Sequence, residues 1–107
     1  MNAATQLLRE LVARPSINPA FEDDPAVSGE ERVAELLIDR ARKAGLDIRR
    51  QAVLPGRKNV LVRLAPAGKV QRRIILAPHL DVVPAEDRQF KPAIKNGRLH
   101  GRGACDT

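Results

Sequence analysis

Arg73-Ile74-Ile75-Leu76-Ala77-Pro78-His79-Leu80-Asp81 is the segment of this 107-residue chain that governs how the rest is read. The apolar residues Ile74 to Ala77 are consecutive rather than alternating, which predicts a strand buried on both faces, as at the centre of an α/β sheet. Pro78 has no amide hydrogen and stops the hydrogen-bond ladder. In open α/β sheets ligands bind beyond the carboxyl ends of the strands, where His79 and Asp81 fall. Residues two apart in extended chain point to one side, so His79 and Asp81 can converge while Leu80 turns back to the core. A carboxylate beside an imidazole orients the ring and makes its other nitrogen a better metal donor. Standing alone, a His-x-Asp is better read as an ordinary strand-end histidine followed by a turn towards Pro84.

Upstream, Leu7, Leu8, Leu11 and Val12 recur at helical spacing, and Pro15 ends the pattern, predicting a helix over residues 3–13. Residues 15–28, with Pro15, Pro19, Pro25, Asn18, Asp23 and Asp24, read as a long surface connection. Ser28 and Glu31 have the spacing of a capping box, which starts a second helix there. Val33, Leu36, Leu37, Arg40, Ala41 and Ala44 follow one face of that helix, and Gly45 supplies its left-handed end. The period then changes. Leu46, Ile48, Ala52 and Leu54 predict one strand and Val60, Val62 and Leu64 a second, with turns at Pro55-Gly56 and Pro66-Ala67-Gly68.

Composition narrows the function classes. Hydrophobic residues make up 43% and charged residues 30%, a balance that suits one small globular domain or part of one. Nineteen Lys and Arg against thirteen Asp and Glu give a formal charge of +6. The basic residues lie in scattered pairs and triplets such as Arg42-Lys43, Arg49-Arg50, Arg57-Lys58 and Arg72-Arg73, as on solvated faces and element ends. With two Phe and no Trp or Tyr there is no stacking platform for single-stranded nucleic acid, so no nucleic-acid partner is expected. The single Cys105 excludes an internal disulfide and suits a reducing compartment. Met1 to Leu11 has no secretory pattern, and the longest apolar stretch is far short of a membrane span. A cytoplasmic location without membrane attachment is expected.

The last twelve residues, Asn96-Gly97-Arg98-Leu99-His100-Gly101-Arg102-Gly103-Ala104-Cys105-Asp106-Thr107, surround a carboxylate with glycines. Gly101 and Gly103 permit close backbone approach. Here the pattern becomes specific. His79-Leu-Asp81-Val-Val-Pro84, followed by Phe90-x-Pro92-x-Ile94-x-x-Gly97-x-Leu99-x-Gly101-Arg-Gly103-Ala-x-Asp106, resembles the metallohydrolase family of acetylornithine deacetylase, succinyl-diaminopimelate desuccinylase, aminoacylase and glutamate carboxypeptidase. Pro15-Ser16-Ile17-Asn18-Pro19 resembles the family's segment after its first helix.

The resemblance implies the amino-terminal part of a three-layer α/β/α zinc-exopeptidase-like catalytic domain with a mixed sheet over residues 1–107. The dimerisation domain and the rest of the catalytic domain are absent from this sequence. It implies His79 and Asp106 as metal ligands, with Asp106 bridging two divalent ions, and Asp81 as the residue that orients His79. Zinc is expected, and cobalt or manganese suits the same donors. The implied reaction is hydrolysis of the amide bond of an N-acyl amino acid or small peptide by a water activated between two zincs, in a full-length protein that forms a homodimer. The general base and the other ligands of the family have no counterpart among these residues, so the chain alone is expected to be inactive. The alternative is a non-catalytic basic binding module. His100, where the family often has Tyr, reads as a partly exposed strand-end residue, and Cys105 as a small buried thiol. Glu86 and Asp87, in the loop after Pro84, read as solvated.

Overall fold

A computed structural model describes residues 1–106. Helix α1 (Ala3–Val12) starts at Asn2, whose side chain accepts from the Thr5 amide at 2.8 Å, and its Leu and Val positions face inward. Helix α2 (Glu31–Lys43) ends as expected: Gly45, at φ +72°, donates to the Arg42 carbonyl, and Leu46 donates to that of Ala41. Those paired bonds satisfy carbonyls the helix leaves open, and they need a residue that tolerates the left-handed region. The chain then runs out as β1 (Asp47–Leu54), turns at Pro55-Gly56 and returns as β2 (Arg57–Arg63) in an antiparallel hairpin. Ion pairs from Arg57 to Glu30 and from Arg50 to Glu31 tie this hairpin to the start of α2.

The core lies between the helices and the segments that follow them, around Val12, Ile17, Val33, Leu36, Ile38 and Phe90. α2 is covered on a wider arc than one stripe, since Ala34 and Ile38 are buried along with Val33, Leu36 and Ala41. Arg40 and Ala44, expected on the inner face, are exposed, and Arg40 reaches Glu10 of α1 at 2.6 Å.

Three expectations fail here. The strand predicted over Ile74 to Ala77 is not formed: the segment has no ladder partner, and Ile74, Ile75 and Leu76 are 88%, 86% and 86% exposed. A strand buried on both faces needs a neighbour along each edge and a layer over each face. β1 and β2 pair only with each other, and among the described residues no strand pairs with Ile74 to Ala77. The molecule is accordingly of mixed α/β character, built from two helices and two separate two-stranded antiparallel sheets. Secondly, Ser28 does not cap α2, for Glu30 holds the cap position without a side-chain bond and Gly29 turns the chain at φ +91° just before it. Ser28 is instead engaged through its backbone in a bridge to Ile17.

Thirdly, residues 15–28 are not wholly a surface connection. Ser16 and Ile17 are 3% and 2% exposed, and Ile17 sits between two parallel bridges, to Ser28 on one side and Val82 on the other. The Ile17 amide donates to the Val27 carbonyl, the Asn18 amide to that of Val82 and the Val82 amide to that of Ser16. Bonds to both flanks hold this short run as firmly as a strand, and they bring the residues after α1 against those after His79.

Candidate metal centre

A turn of 3-10 helix (Asp87–Phe90) anchors the segment after Pro84, with buried Phe90 as its apolar foot and a reciprocal Glu86–Gln89 cap at its start. Glu86 and Asp87 are exposed, as expected. Two short antiparallel strands follow, β3 (Ala93–Lys95) and β4 (Arg98–His100), joined by Asn96 and Gly97 at φ +50° and +72°. A two-residue Asn-Gly loop with both dihedrals positive matches the twist of the flanking strands. This hairpin returns the chain to α1 at Gly101. A Cβ on Gly101 would stand 2.3 Å from Cγ1 of buried Val12, so only glycine allows the approach. Gly103, at φ +82°, lies less tightly against Val82, where an added Cβ would meet Cγ1 at 3.0 Å. The bond from the Arg102 amide to the Gln89 carbonyl, 2.8 Å, completes the loop.

The loop delivers Asp106 to His79. The imidazole Nε2 lies 3.0 Å from Asp106 Oδ1 although 27 residues separate them in sequence. The other ring nitrogen, Nδ1, is 2.9 Å from the backbone carbonyl of Asp81 and 3.3 Å from its Oδ1. Both atoms facing Nδ1 are acceptors, so Nδ1 donates to them; Nε2 donates to the Asp106 carboxylate in the imidazolium, and is the nitrogen a metal ion would take on losing that proton. His79 and Asp81 thus share a side, while Leu80 lines the apolar cavity of about 190 Å³ behind them with Leu8, Leu11, Val33, Leu37 and Phe90. On the open side a groove of about 560 Å³ is bordered by His79, Asp81, Gly101, Gly103 and Asp106.

The electrostatics follow from these contacts. The Asp106 carboxylate, and then the Asp81 backbone carbonyl, favour the imidazolium and hold the His79 pKa above its ordinary value. Asn18 donates to Asp81 Oδ2 at 2.8 Å and is the main cause of that carboxyl's lowered pKa, with smaller contributions from the charges of His79 and Arg57. Arg57 is itself held charged by its bond to Glu30. Asn18 is the participant that side-chain chemistry alone does not single out. Its place in the Pro15 to Pro19 motif gives it no role by itself. His100 ends β4 and is exposed, whereas Cys105, expected buried, is exposed beside the groove. The tight contacts of the loop belong to its glycines, and Cys105 follows them on the solvent side.

The donor set suits a divalent ion in part. Two ligands of one zinc, each about 2.0–2.2 Å from it, stand roughly 3–4 Å apart, close to the Nε2–Oδ1 separation. A carboxylate 90% exposed at the groove can accept an ion without burying charge. Among the described residues no group of three or more His, Cys, Asp or Glu is placed to hold one metal ion together.

Residues 75–107 match the profile of peptidase family M20/M25/M40. Over 99% of its length the chain is also similar to succinyl-diaminopimelate desuccinylases: 37% identical to that of Nitrosospira multiformis, 31% to that of Bordetella avium and 30% to that of Variovorax paradoxus. The chain is similar to a fragment of the M20/M25/M40 family. It spans about a quarter of the length of these curated relatives, 26% for the first two and 27% for the third. No solved structure matches it. The profile of the M20/M25/M40 family begins at Ile75 and so takes in His79, Asp81 and Asp106 together with both glycines of the loop. No helix among the described residues is long and apolar enough to cross a membrane.

Proposed function

We propose that this chain is the amino-terminal part of a metal-dependent hydrolase that cleaves the amide bond of an N-acyl amino acid or small peptide. The carrying observation is the approach of His79 Nε2 to Asp106 Oδ1 at 3.0 Å, with Nδ1 occupied by Asp81. His79 and Asp106 would hold the metal, Asp106 extending its second oxygen to a neighbouring ion, and Asp81 would fix the ring. Two zinc ions, when bound, polarise an amide carbonyl and make hydroxide available near neutral pH. The residues of this chain supply orientation: Nδ1 keeps its proton against Asp81, so Nε2 is the nitrogen that would give up its proton to the ion. The glycines at 101 and 103 let the loop that carries Asp106 pack against Val12 and Val82, which an added Cβ would meet.

The desuccinylases similar to this chain favour an N-acyl substrate bearing a carboxylate within that class. A three-layer catalytic domain, a homodimer and a cytoplasmic location belong to the same reading. The test is chelator-sensitive hydrolysis of acyl amino acids by the full-length protein that carries this sequence, beside its Asp106→Ala variant. Loss of zinc and of turnover in the variant is expected. Full activity in Asp106→Ala, or turnover that survives thorough chelation, overturns the reading.

A further inference from the structure

We propose that Asn18 is a positioning residue of this centre, its side-chain amide fixing the Asp81 carboxylate and, through it, the ring of His79. The inference rests on the metal-hydrolase reading for its purpose, but its geometry stands on separate contacts. Asn18 Oδ1 accepts from the Ala20 amide at 2.9 Å, so the amino end of the side chain is the one that faces Asp81. There Nδ2 donates to Oδ2 at 2.8 Å. With Oδ2 engaged, Oδ1 is the oxygen left for His79 Nδ1, 3.3 Å away. The backbone is held too, since the Asn18 amide donates to the carbonyl of Val82, the residue after Asp81, at 2.9 Å.

Position 18 therefore needs an acceptor towards Ala20 and a donor towards Asp81 on one short, planar side chain. Asparagine supplies both. Aspartate keeps the first and reverses the second, which separates the local turn from the contact to Asp81. Without Asn18 the carboxylate is free to rotate away from Nδ1, which then keeps only the Asp81 carbonyl, while Nε2 still faces Asp106. Partners of this outer kind typically change metal affinity about 10–100-fold.

In the full-length protein that carries this sequence, Asn18→Asp and Asn18→Ala are compared with the parent by zinc affinity against a chromophoric chelator. The His79 imidazole nitrogen resonances are recorded with and without zinc, and the thermal midpoint reports folding separately. Both variants should bind zinc about 10–100-fold more weakly, and their metal-free His79 resonances should move towards those of a ring with mixed proton positions. Parental affinity and parental resonances in folded Asn18→Asp overturn the proposal. Should that variant fail to fold, Asn18→Ala decides by the same two readouts. If the parent binds no zinc, the metal reading falls while the metal-free resonances still decide what Asn18 does.

Discussion

At residue scale, the His79 ring and the Asp106 carboxylate set the pH behaviour of the metal-free protein. The His79 pKa is raised, so the pairing stabilises the fold fully below the ordinary histidine pKa and loses that contribution as pH rises through the raised value. Titration of the metal-free protein by NMR should place His79 above an ordinary histidine, and Asp106→Ala should move it down. Zinc binding should release protons over the same range, because ion and proton compete for Nε2. Gly101 offers a mechanical counterpart. Gly101→Ala puts a methyl 2.3 Å from Val12 Cγ1 and should cost about 1–3 kcal/mol by denaturant titration, with less lost when Val12→Ala is already present. His79, Asp81 and Asp106 were all legible in the sequence as a cluster, since the motif carries them together. Asn18 was not, because a side chain that acts through its amide has no chemical signature until its two partners are in place.

At the scale of elements, local signals read well and pairing signals did not. α1, the end of α2 and the Pro55-Gly56 turn follow from helical spacing, a C-terminal glycine and turn chemistry, all of which act within a few residues, whereas the Ser28–Glu31 capping signal did not hold. The Asn96-Gly97 hairpin, which was not expected from the sequence, also has its signal in its turn residues. Ile74 to Leu76 has the opposite character: apolarity announces burial but does not supply the neighbours. Left 86–88% exposed, this run is an open template for association. Ile75→Lys should therefore reduce self-association of the isolated 107-residue chain, measured by light scattering, with no loss of its thermal midpoint.

Over the whole molecule, the radius of gyration is 15.4 Å, against about 13 Å for a compact domain of this length, and the shape is flat at 47 × 39 × 21 Å. The hairpin contributes further uncovered apolar surface at Val53, Leu54, Leu61 and Val62. A flat body with open faces suits a chain that spans about a quarter of its relatives' length. The isolated chain should neither hold a two-zinc centre nor hydrolyse acyl amino acids, since a catalytic zinc usually takes three protein ligands and this chain brings two donors together. Metal analysis after dialysis against zinc, beside an amide-hydrolysis assay, checks both. The double bridge at Ile17 adds a last consequence, in the time domain. Solvent exchange of backbone amides should be slow at Ile17, Asn18 and Val82, which lie in no helix or ladder, while Ile74 to Ala77 exchanges almost at once. The floor beneath Asp81 would then keep its deuterium clock running after the segment leading into it has already equilibrated.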